Sequence, residues 1–119
     1  MIRAAACCAV AALPVAAQEV TPGTGAVLRA LDKVSGLVQD VEIAQGATAE
    51  YDRLDITLSE CRFPAGNPSG DAYAHLTIRD RQADQIVFDG WMIASAPALN
   101  ALDHARYDVW VLRCKTSDA

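Results

Sequence analysis

Few residues in this 119-residue chain could carry chemistry. It has two histidines, His75 and His104, and His104 stands close in sequence to Asp103 and Asp108 with Ser95 upstream. A nucleophile, a base and an orienting carboxylate could in principle be built from Ser95, His104 and Asp108. Ser95 lacks the G-x-S-x-G elbow that presents an activated hydroxyl, however. The competing role for Asp103 or His104 is to cap a turn or bond a loop backbone. His75 alternates with Thr77 and Arg79 on the polar side of a strand pattern, where a solvent-facing histidine is expected. The carboxylate pairs Asp40/Glu42 and Asp52/Asp55 have the composition for glycoside hydrolysis or calcium binding. No D-x-D-x-D-G loop accompanies them, and pairs on the polar face of a strand are ordinarily just solvated. Neither G-x-x-x-x-G-K-[ST] nor G-x-G-x-x-G occurs, so nucleotide use is unsupported and no cofactor or metal is expected. The rings of Trp91, Tyr107 and Trp110 could line a sugar or peptide site, against a plain role in the core, for which Trp91 and Trp110 are the largest candidates. The candidate ligand or partner surface is Trp91, Ser95, His104, Tyr107 and Asp108, with an aromatic cleft near Trp91, Tyr107 and His104 as its most concrete form.

The elements that must position these residues are short and alternating. AVLRALDK and LVQDVEIA, each followed by a glycine, form an expected hairpin, with Val41 and Ile43 alternating with polar residues. TAEY follows, then LDITLSEC, which places Leu54, Ile56 and Leu58 on one face. PAGNPSG, with two prolines and two glycines, is the strongest loop signal in the chain. AYAHLTIRD puts Ala74, Leu76 and Ile78 opposite His75, Thr77 and Arg79. QIVFDGWMIA is a strand with Gly90 inside it, SAPALNALDHA offers a short helical turn entered at Pro97, and YDVWVLRC closes the domain. That last strand has apolar residues on both faces, as a strand covered on both sides has. The expected fold is mostly β, a small antiparallel sandwich or barrel with one short helical turn. Parallel α/β is excluded for lack of crossover helices.

The N-terminus sets the address. Arg3, an apolar run from Ala4 to Leu13 and small residues at Val15 and Ala17 make a secretory signal peptide over 1–17, cleaved before Gln18. The run is too short to span a membrane, which takes roughly 20 residues. Residues 18–25 read as a flexible arm and 26–119 as a single β domain, delivered to the periplasm with no membrane span in the mature chain. Without Arg3, nine basic residues face fifteen acidic ones, a net charge of about −6. The basic residues are scattered singly, so nucleic acid is excluded as a partner. An envelope protein or a small ligand is expected instead. Cys7 and Cys8 fall in the leader, which leaves Cys61 and Cys114 with one pairing open to them, a disulfide suited to an oxidising compartment.

Two stretches carry a resemblance. Phe88-x-Gly90-Trp91-Met92-x-Ala94-Ser95-x-Pro97-Ala98-Leu99 and Tyr107-Asp108-Val109-Trp110-Val111-Leu112-x-Cys114 are similar to a secreted alphaproteobacterial family, the domain of unknown function numbered 2155. Leu31-Asp32-Lys33-x-x-Gly36 resembles its opening segment. The resemblance implies a small envelope protein with no assigned activity, and it carries over no site residues. The expectation is a non-enzymatic periplasmic domain that binds or scaffolds another envelope component. A small-ligand module and a hydrolase using His104 and Asp108 are the alternatives.

Overall fold

A computed structural model describes residues 19–117. The signal peptide expected over 1–17 lies outside the described residues, as does Gln18. Eight strands and one 3-10 turn follow in order: β1 (Val20–Pro22), β2 (Gly25–Asp32), β3 (Val38–Ala44), β4 (Thr48–Tyr51), β5 (Leu54–Pro64), β6 (Tyr73–Asp80), β7 (Gln85–Ile93), the turn Pro97–Leu99, and β8 (Tyr107–Lys115). They form two antiparallel sheets. One runs β1-β5-β6-β7, with β4 also paired to β5, and the other runs β3-β2-β8.

Period-two alternation explains the packing. On β5, Leu54, Ile56 and Leu58 point inward, and a register shift between Leu58 and Glu60 keeps Cys61 and Phe63 inward too. Ala74, Leu76 and Ile78 of β6 and Phe88 and Met92 of β7 continue that inner face. Ala26, Leu28 and Ala30 of β2, Val41 and Ile43 of β3, and Tyr107, Val109 and Val111 of β8 meet them across one core. The β2–β3 hairpin closes on Gly36, whose φ of 77° is the left-handed conformation that favours glycine. Its amide donates to the Asp32 carbonyl at 2.7 Å. Opposite that end of the core, Cys61 of β5 and Cys114 of β8 join the two sheets in a disulfide, with Cα atoms 5.6 Å apart.

Three expectations change. The arm expected over 18–25 is not free: Val20–Pro22 pairs with Arg62–Pro64, and the Gly23 and Thr24 amides donate to the Cys61 and Lys115 carbonyls. Pro22 is tolerated there because β1 is an edge strand. The tryptophans are not the heart of the core. Trp91 and Trp110 are only half-buried, and the largest fully buried side chain is Tyr107. Finally, β8 is the edge of its sheet, not a strand covered on both sides. Tyr107, Val109 and Val111 face the core, while Asp108, Trp110 and Leu112 form a half-exposed outer face.

Candidate functional site

The residues singled out by type do not come together. Ser95, just beyond β7, donates its Oγ to Asp71 Oδ2 at 2.6 Å and its amide to Asp71 Oδ1 at 3.0 Å. His104 turns elsewhere. Its Nδ1 accepts the Arg106 and Tyr107 amides at 2.9 and 3.3 Å, which places the ring hydrogen on Nε2, 2.9 Å from Asp80 Oδ2. A ring with its acceptor nitrogen occupied by the backbone has no lone pair left for a serine hydroxyl. Asp108 is the carboxylate of neither group; it lies on the outer face of β8. The Ser95–His104–Asp108 arrangement is therefore not assembled, and His104 takes the loop-bonding role instead.

What His104 belongs to is a polar cap over one end of the core. Tyr107, fully buried, donates its hydroxyl to Asp52 in the β4–β5 turn. Its ring lies between two guanidinium groups, Arg53 at 5.7 Å and Arg106 at 5.4 Å, and meets Tyr51 edge-on at 5.5 Å. Arg106 grips Asp32 through contacts of 3.1 to 3.4 Å. The Arg106 hydrogen bond holds the Asp32 carboxyl down at about 2, and the His104 hydrogen bond does the same for Asp80. Burial, then the bond to Asp52, pushes Tyr107 up to about 12. Most of these groups satisfy one another, as buried polar networks tend to; Arg53 Nε is the exception, buried without a hydrogen bond and 3.4 Å from Asp80 Oδ2. The expected cleft of Trp91, Tyr107 and His104 is accordingly absent, because Tyr107 is sealed in the core and Trp91 projects from the outer face of the other sheet.

That outer face holds the better candidate. Register places Trp91 beside His75 across β7 and β6, and places Tyr73 beside Arg62 across β6 and β5. The His75 ring meets Trp91 edge-on at 5.2 Å, and the Arg62 guanidinium sits 5.1 Å from the Trp91 centroid. Arg62 is itself held by Glu60 at 2.6 Å, and His75 by Ser59 at 3.2 Å with Asp89 at 3.6 Å. Val20, Arg62, Tyr73 and Trp91 enclose a shallow groove of about 260 Å³. Residue types alone missed Val20, Arg62 and Tyr73, and treated His75 as plain surface. The parity of β7 is the signal that could have found it: Asp89 and Trp91 fall on one face, Phe88 and Met92 on the other. A second groove, about 310 Å³, lies where the Pro97–Leu99 turn passes over Trp110 and Asp108. It is lined by Pro97, Ala98 and Ala101 and brings no converging polar side chains apart from Asp108.

Among the described residues, no three His, Cys, Asp or Glu side chains are grouped to hold a metal ion, and no helix is long and apolar enough to cross a membrane. No solved structure matches the chain. An uncharacterised protein of Rickettsia prowazekii (strain Madrid E) is similar, 24% identical over 88 residues that cover 71% of this chain and 57% of that protein. The chain thus spans little more than half the length of that relative. Residues 26–114, from the start of the core to the second cysteine of the bridge, match the family described as uncharacterised protein conserved in bacteria, and this chain belongs to that family, DUF2155.

Proposed function

We propose that this chain is a non-enzymatic binding domain of the periplasm, and that the outer face of the β5-β6-β7 sheet around Trp91 is its contact surface for another envelope component. One observation carries the reading: Trp91 stands half-exposed on a sheet face, with the Arg62 guanidinium over its ring and the His75 ring edge-on beside it, while Arg62 is itself paired to Glu60. Exposed tryptophan, tyrosine and arginine are the residue types that dominate binding energy at interfaces. Rigid rings cost little entropy to immobilise, so such a surface is preorganised. The signal peptide expected over 1–17 from the sequence and a disulfide suited to an oxidising compartment support the address.

The test is capture from a periplasmic extract with the mature domain as bait, beside a Trp91→Ala bait of matched thermal stability. A component retained by the first and lost by the second supports the reading. Identical capture by both baits overturns it.

A further inference from the structure

We infer that this chain forms a two-fold dimer through the outer face of its β3-β2-β8 sheet, the side away from the Trp91 surface and independent of that reading. The occupant of the face is a second copy of the chain. The first ground is the order of side chains along β8. Register sets Asp108 opposite Leu31, Trp110 opposite Arg29 and Arg113 opposite Val27. Those partners are spaced two residues apart on β2, so all three side chains share one face. Trp110 stands midway, about 7 Å along the strand from a carboxylate on one side and from a guanidinium on the other. Five residues separate Asp108 from Arg113, which in a regular strand would put them on opposite faces. The register shift between Val27 and Leu28 gives β8 one extra residue there and brings both onto the same face.

The second ground is which charges are left over. Arg29 is held by Asp40 at 2.9 Å, and Lys115 by Glu42 at 3.4 Å. Among the described residues, Asp108 and Arg113 make no hydrogen bond or ion pair, and Arg113 acts on Asp40 only from a distance. A two-fold axis that crosses the strands over Trp110 sets β8 antiparallel to the β8 of the second copy. Each Asp108 then lies against the second copy's Arg113, and both contacts form at once because the strip is its own complement. A different partner would need the same two charges at the same spacing in reverse order.

The third ground is the surface around those charges. Trp110, Leu112 and Leu31 are half-exposed, and Val38, beside Leu31, is exposed. Past the free edge of β8, Pro97 and Ala98 line the groove against Trp110. Stacking two such strips puts the Trp110 rings at the centre and the Asp108–Arg113 pairs toward the rim, as in interfaces where aromatic anchors carry most of the energy. The Arg29–Asp40 pairs lie to one side and stay paired in each copy. Joined this way, the dimer presents two Trp91 surfaces facing away from one another.

The test is sedimentation equilibrium of the mature domain from about 1 to 500 µM, the range over which a weak specific dimer dissociates. The mass should rise from one chain to two. Asp108→Arg and Arg113→Asp each set like charges against one another, so each should weaken association about tenfold or more. The double reversal should return it to within about threefold of the parent. Trp110→Ala should weaken the dimer, and Trp91→Ala should leave it unchanged. Where a reversal fails to fold, Asp108→Ala and Arg113→Ala read the same contact. A single-chain mass over the whole range overturns the inference, whatever Trp91-dependent capture shows. So does a dimer that neither single reversal weakens, or one that the double reversal fails to restore.

Discussion

Removing the disulfide should cost this domain more than any other single covalent change, and the cost can be worked from its position. Cys61 and Cys114 are 53 residues apart, and the bridge ties β5 of one sheet to β8 of the other. Closing a loop of that length removes unfolded-chain entropy worth about 4 kcal/mol at 25 °C. Total stabilities of small domains are about 5–15 kcal/mol, so the bridge is a large share of the whole. Both cysteines are buried, at 0% and 5% exposure, so a Cys61→Ala/Cys114→Ala double variant is cleaner than reduction of the folded protein, which must open first. With a urea slope of about 1–3 kcal/mol/M, the midpoint should fall by roughly 2 M. The slope itself should rise, because an uncrosslinked chain exposes more surface on unfolding. Equilibrium urea unfolding followed by tryptophan fluorescence reads both quantities. A midpoint shift below about 0.5 M with an unchanged slope would refute the reasoning, since it would mean that the unfolded chain is equally compact without the bridge.

The inner and outer faces of the same sheet should respond differently: Leu76→Ala, at a fully buried position, should cost about 2–5 kcal/mol in urea unfolding, against less than about 1 kcal/mol for Trp91→Ala. Equal costs would contradict the placement of Trp91. Asp32 and Asp80 are both held at about 2, below the ordinary 3.8, by Arg106 and His104 respectively. Depressed carboxyls contribute stability that is present above the unfolded value and lost as pH falls through the folded one, so thermal stability should drop steeply between about pH 4 and pH 2. Asp80→Asn should flatten that limb, and an unaltered acid profile would count against the His104–Asp80 contact. Tyr107, pushed up to about 12, has the opposite sense: its contribution is complete below pH 10 and is lost as pH rises toward 12. Absorbance at alkaline pH should show it ionising after ordinary tyrosines, and a Tyr107→Phe variant should lack that late step.

Much of the fold was legible because a two-residue period leaves a direct trace. Leu54, Ile56 and Leu58, and likewise Ala74, Leu76 and Ile78, fall on the buried face as their alternation requires. The bridge was legible as well, because two cysteines remain once the leader expected over 1–17 is set aside, and they allow one pairing. β1 was not: three residues containing a proline carry no period, and their strand character comes from pairing with Arg62–Pro64 some forty residues on. The tryptophans misled because size was weighed above parity. Trp110 shares its face with Asp108, and Trp91 with Asp89, and in each strand the residues of the other parity are the buried ones. The site was hardest of all. Arg62 and Trp91 are brought together by register through β6, which no local pattern encodes.

The two polar clusters of this domain also explain why the function is sought on a sheet face and not at the His104 turn. At the end of the core, Tyr107 meets Asp52, Arg106 meets Asp32, and His104 meets Asp80, with the rings and guanidinium groups packed on one another. A ligand entering there would have to break a partly buried network of ion pairs and hydrogen bonds, and leaving a buried member such as Asp80 unpaired costs more than a new contact returns. On the outer face Arg62 is likewise paired to Glu60, but the rings of Trp91 and Tyr73 stay partly in water. Covering them removes apolar surface from water at about 25 cal/mol per Å² without disturbing the Arg62–Glu60 pair. The first cluster spends its interactions on holding the two sheets together at their end, and the second keeps its apolar surface available for a partner.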